Sequence, residues 1–233
     1  MKDVCMTTTQ DDAEFSRQML LALAEGAVRE GTLLLEGKSA EEIHSDVHAY
    51  FAQLIDGDAA WNNEDAPKLR RDYQETLESE AARYHEAGHF DIAILLHATR
   101  VEHWLNGMIA WALERRGFDE PYRRTVIRET QLRAKTGWLW QLLFHDPLPE
   151  DLARGITALA ESRNAFVHYK WPDVSIASMG DRDKETGPLS GTAEELLAAL
   201  RDVEDRIVFA GRRRALAAAF GPPVESNTEE PLT

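Results

Sequence analysis

Arg163, Asn164 and His168 lie within one short stretch, Ala153 to Trp171 (ARGITALAESRNAFVHYKW), and their types could serve charge stabilisation and proton transfer. A guanidinium can neutralise charge on phosphoryl oxygens, an imidazole can move a proton near neutral pH, and an amide can orient either partner. Ile156, Leu159, Phe166 and Val167 recur at helical spacing, so the stretch reads as an amphipathic helix whose core stripe also passes through Arg163. A charge thus stands on an apolar face. At 3.6 residues per turn Arg163 and His168 are about 140° apart, while Asn164 and His168, at i and i+4, share a face. Ala153, Thr157 and Ala160 run back along that face as a row of small residues, open to a second helix or a nucleotide backbone. Pro172 predicts that the helix ends near His168.

Two elements must position these groups. The first is the helix itself, and the second is an earlier helical segment, Asp91 to Arg115, with Ile94, Ala98, Val101, Leu105, Met108 and Ala112 along one stripe. Glu102 and Asn106 form a polar i, i+4 pair beside that stripe.

The segment Arg163-Asn164-Ala165-Phe166-Val167-His168 resembles the Arg-polar-x3-His motif of the HEPN superfamily, all-helical domains that include many metal-independent endoribonucleases. Arg163, Asn164 and His168 match the motif position by position, and Val101-Glu102-His103-Trp104-Leu105-Asn106 resembles the Glu-x-x-Leu-Asn setting of the preceding helix. The resemblance implies an all-α, HEPN-like helical bundle with additional N-terminal helices. It makes Arg163, His168 and Asn164 the candidate catalytic residues, with Glu102 as the partner of Arg163. The implied reaction is 2'-OH attack on the adjacent phosphodiester without metal or other cofactor. A homodimer is implied as well, since two motif helices would supply the acid and the base. A toxin or defence role, restrained by an antitoxin or other regulatory protein, follows by analogy. A noncatalytic helical interaction module is the alternative, because fold does not fix function.

A competing motif is His85-Glu86-Ala87-Gly88-His89, a literal His-Glu-x-x-His match in which His85, Glu86 and His89 would hold zinc and activate its water. The site needs both histidines on one unbroken helix. Gly88 followed by His89-Phe90-Asp91 reads instead as a helix stop and a new start.

Of the chain's 233 residues, 43% are hydrophobic, enough for a core. The absence of a long apolar run or an apolar leader points to a soluble cytoplasmic protein without membrane contact. A single cysteine, Cys5, excludes an internal disulfide framework. The formal charge of -15 argues against a general nucleic-acid coat. Charge is unevenly placed, however: residues 1–65 hold 4 basic and 14 acidic residues, whereas Arg100 to Lys135 hold 8 basic and 5 acidic. Weak RNA contacts are therefore expected at Arg123, Arg124, Arg128 and Lys170.

The expected organisation is an acidic helical region at 1–65, a HEPN-like domain at 66–220 and a disordered tail at 221–233. Within the first, a helix over 11–36 is followed by a capping box, Ser39 to Glu42, and a helix ending near Asp56. Trp61 to Pro67 marks the boundary, and a helix over 68–87 follows. Pro121 opens a short basic helix, and Trp138, Leu139, Trp140, Leu142, Leu143 and Phe144 form an apolar cluster read as core or dimer contact. Asp173 to Gly191 reads as a loop, and 192–220 as one helix whose Arg212, Arg213 and Arg214 suit its C-terminal dipole.

Overall fold

Helical periodicity with short Gly- and Pro-marked breaks dictates an all-α chain, and every element among the described residues is a helix. The computed structural model describes residues 10–56, 74–167 and 179–221. The candidate boundary at Trp61 to Pro67, Cys5, and the tail from residue 222 onward lie outside them. No helix among the described residues is long and apolar enough to cross a membrane.

The elements are α1 (Gln10–Glu30), α2 (Ala40–Asp56), α3 (Gln74–Glu86), α4 (Phe90–Glu114), α5 (Glu120–Glu129) and α6 (Leu132–Ala134), which continues through a π-helical stretch, Lys135–Leu139, into α7 (Trp140–Phe144). They are followed by α8 (Glu150–Val167), α9 (Met179–Val208) and α10 (Arg213–Ala218). The chain divides into two compact units, residues 71–204 and residues 1–70 with 205–233. The last part of the expected 66–220 domain therefore groups with the N-terminal helices.

In the N-terminal unit α1 stops at Gly31 (φ 80°), earlier than the end at residue 36 expected from the sequence. Gly31 N donates to Val28 O at 3.1 Å and Thr32 N to Ala27 O at 2.9 Å, the paired bonds of a left-handed glycine cap. Leu33 and Leu35 are buried beyond it, while Leu34, Phe15 and Met19 are exposed. The capping box of α2 closes as read: Ser39 N donates to Glu42 Oε2 at 2.7 Å, and Glu42 N to Ser39 Oγ at 3.2 Å.

The helix expected over 192–220 breaks at Ala210 and Gly211, both at positive φ, so Arg213 opens α10 rather than closing a long helix. A cation at a helix N-terminus opposes the dipole. Local contacts retain it there: Arg213 forks onto Glu25 at 2.8 and 2.9 Å and lies over the buried Phe209 ring at 4.9 Å.

In the 71–204 unit α4 packs against α3, α5, α7 and α8. Val101, Trp104, Leu105, Met108, Ile109 and Ala112 are buried, and Trp104 stacks on the buried Trp140 with ring centroids 5.6 Å apart. The apolar cluster is split, for Trp138 and Leu142 are exposed while Leu139, Trp140 and Leu143 are core. α9 starts at Met179, inside the segment read as a loop. That segment lacks an apolar period, but a helix nucleated by its packed part, Ala193 to Val203, extends at the small cost of residue propensity alone.

His97 of α4 is buried, and neither ring nitrogen has a hydrogen-bond partner among the described residues. Burial pushes its pKa down, against the upward pull of Glu194 and Glu78, with His85 adding to the downward push. A group whose folded pKa is depressed contributes no penalty above its unfolded value near 6.5 and destabilises as pH falls below it, because the unfolded chain takes the proton first. His97→Leu should therefore flatten the loss of melting temperature between pH 7.5 and 6. Thermal melts of both proteins across that range check this, and parallel curves would contradict it.

Candidate active site

Packing of α8 on α4 brings Arg163 and Asn164 to the polar strip of α4. Leu152, Ile156 and Leu159 are the buried residues of α8, and Arg163 continues their 4, 3, 4 spacing. The stripe does not extend as far as expected, since Val167 is 50% exposed. Arg163 thus stands where the buried face reaches solvent. Its Nη1 donates to Glu102 Oε2 at 2.8 Å and its Nη2 to Asn164 Oδ1 at 3.3 Å. The remaining guanidinium N–H groups have no acceptor among the described residues.

Side-chain exposure is 32% for Arg163 and 44% for Glu102, so the pair is open to water and to ligand. Neither group is a buried charge whose loss would collapse the fold. Asn164 is exposed, and so is Thr157 in the small-residue row. The close approach on this helix comes elsewhere: a Cβ at Gly155 would meet the Leu196 side chain of α9 at 3.1 Å.

His168 and Lys170 lie outside the described residues, and their places are those of the sequence alone. Arg123, Arg124 and Arg128 do not form a free basic surface. They pair with Glu114, Glu120 and Glu129 respectively, the first at 2.6 Å and the last at 2.8 Å. α5 itself forms as read, with Asp119 Oδ1 accepting Tyr122 N at 2.9 Å and proline in the first turn.

The His-Glu-x-x-His match is divided by a helix break. α3 ends at Glu86, Gly88 takes φ 77°, and α4 starts at Phe90, so His85 and His89 stand on either side of a break. Gly88 N donates to His85 O at 2.9 Å and His89 N to Tyr84 O at 2.8 Å, which is the double bond pattern of a Schellman cap. Among the described residues no three His, Cys, Asp or Glu side chains converge to hold a metal ion.

One group near the site was not read from the sequence. Lys135 is 7% exposed and donates from Nζ to Asn106 Oδ1 at 2.8 Å. Burial pushes its ammonium pKa down, opposed by the nearby Glu102 carboxylate. A signal was present: Lys135 lies three residues after Leu132 and four before the buried Leu139, again a charge on an apolar stripe. Glu102, Asn106, Lys135, Arg163 and Asn164 thus form one polar cluster drawn from α4, the π-helical stretch and α8. Two cations and one carboxylate give it a positive excess in an acidic protein.

Comparison with protein-family models, curated proteins and solved structures finds no match.

The half-exposed setting of the Arg163 and Glu102 pair makes it separable from stability. Arg163→Ala should cost no more than about 1 kcal/mol of unfolding free energy, the range of exposed ion pairs. Urea denaturation of the variant checks this, and a loss of several kcal/mol would show that Arg163 holds the fold.

Proposed function

We propose that the protein is a metal-independent endoribonuclease of the HEPN type, within an all-α, HEPN-like bundle. The observation that carries the reading is the Arg163 guanidinium, held by Glu102 from the preceding long helix at 2.8 Å yet partly open to solvent, beside Asn164 and in the sequence motif that ends at His168. A guanidinium fixed on one edge and free on another is prepared to meet a charge that grows during reaction.

In this reading the ribose 2'-oxygen attacks its neighbouring phosphorus. The O2'–P bond forms and the P–O5' bond breaks, leaving a 2',3'-cyclic phosphate and a 5'-hydroxyl. His168 takes the 2'-OH proton or returns one to the leaving 5'-oxygen. Arg163 neutralises the phosphoryl oxygens as charge develops, and Asn164 orients the phosphate or the imidazole. One imidazole poorly serves both the attacking and the leaving oxygen, so a two-fold dimer, with a second motif helix meeting the small-residue row, completes the acid and base pair. A toxin or defence role under control of an antitoxin or other regulatory protein fits such an enzyme. A cytoplasmic location fits it too.

The pairing of Arg123, Arg124 and Arg128 with glutamates, together with the -15 charge, favours a second reading as a noncatalytic helical interaction module. Labelled RNA incubated with the protein in EDTA separates the two. Cutting that yields cyclic-phosphate ends is expected, with DNA left intact; intact RNA would leave the interaction module.

Two further outcomes follow from the mechanism. His168→Ala should slow cleavage by about 10²-fold or more, the lower range for general acid-base catalysis, while the exposed His48→Ala leaves it unchanged. Parental rates in folded His168→Ala protein would end the proton-transfer role. Light scattering should give about twice the 26.3 kDa chain mass, and a cleaving monomer would remove the composite site.

A further inference from the structure

A buried ammonium is costly unless a counter-charge or several hydrogen bonds replace its water. Lys135 as a residue is 7% exposed, yet the acceptor of its part-buried ammonium among the described residues is the neutral amide oxygen of Asn106. No carboxylate among the described residues lies within ion-pair distance of it. The nearest relevant one, Glu102, is already bonded to Arg163. An ammonium has three donors, and among the described residues one of this ammonium's is engaged.

The placement is equally informative. Asn106 and Glu102 are one turn apart on the same face of α4, with Cβ separations of about 5–6 Å expected at that spacing. Each anchors a cation arriving from a different element: Lys135 from the π-helical stretch and Arg163 from α8. That stretch departs from helical geometry at Gly137 (φ -104°, ψ -113°), two residues after Lys135.

We propose that Lys135 and Arg163 are the two sides of a seat for one phosphoryl group of a bound RNA strand, with Asn106 and Glu102 holding the cations in place. A tetrahedral phosphoryl group accepts from several directions, so it satisfies the free donors of both cations and supplies the missing counter-charge. The seat is built within one chain, unlike the acid and base pair. The choice of RNA as the source of the phosphoryl group rests on the ribonuclease reading above.

The test is binding of a fluorescent 2'-O-methyl RNA strand, which lacks the attacking hydroxyl, to the full chain in EDTA over a series of salt concentrations. Lys135→Met should weaken binding about tenfold or more and reduce the steepness of log K against log salt by about 0.7, the loss of one phosphate contact on a single strand. Lys135→Gln, which can still bond Asn106 but carries no charge, should do the same and guards against a folding artefact. Folded variants with parental affinity and slope would overturn the seat, as would a parent protein that binds no strand. Failure of both neutral variants to fold would make the ammonium a structural group and overturn it too. Cleavage of the all-ribose strand is scored separately. Lys135-dependent binding without cutting by the parent would sink the ribonuclease reading and keep the seat. Parental cutting that survives Lys135→Met unchanged would sink the seat and keep the reaction.

Discussion

Burial of α4 around most of its circumference is the constraint on which the 71–204 unit depends. Trp104, Leu105, Met108 and Ile109 admit almost no solvent, and α3, α5, α7 and α8 each pack on this helix. Truncating a buried tryptophan to alanine costs about 3–5 kcal/mol, far more than an exposed ion pair contributes. Packing therefore sets the rotation of α4, and that rotation leaves Glu102 and Asn106 on its narrow less buried strip. The polar cluster is placed by the apolar core and does little to hold it together. That division lets the cluster be shaped for a ligand at small cost to the fold.

Electrostatics distinguish the cluster from the other basic residues nearby. On α5 the arginines are answered by glutamates, Arg124 and Arg128 largely in water, so their field is cancelled and screened. At Lys135 and Arg163 two cations face one carboxylate, and one of the cations lies beneath the surface where screening is weak. In a protein of -15 net charge, this cluster is a local positive excess.

Where an element is set by its own pattern, the sequence reveals it. The stripe of α4, the Ser39 and Glu42 capping box, the Gly88 break and the Asp119-Glu120-Pro121 start of α5 all rest on local period or backbone chemistry. The pairing of Glu102 with Arg163 was expected from the resemblance of the two helices, and the apolar stripes showed only that each is a polar group beside or on a buried face. What escaped depends on long-range packing. Arg213 opens a helix because Glu25, distant in sequence, receives it beside the neighbouring Phe209 ring. The N-terminal part of α9 carries no apolar stripe, so its period is silent. Lys135 was missed although it shows the same sign as Arg163, a charge on an apolar face, because α6 is too short to display a period by itself.

The central claim is that Glu102 acts by aiming Arg163 and that the two serve one step. A double-mutant cycle on RNA cleavage in EDTA, using Glu102→Ala, Arg163→Ala and the combined variant, tests it most directly. The account predicts strong coupling: once Arg163 is gone, losing Glu102 should slow cleavage little further. Independent losses that multiply in the double variant, or a parent protein that leaves RNA uncut, would contradict it.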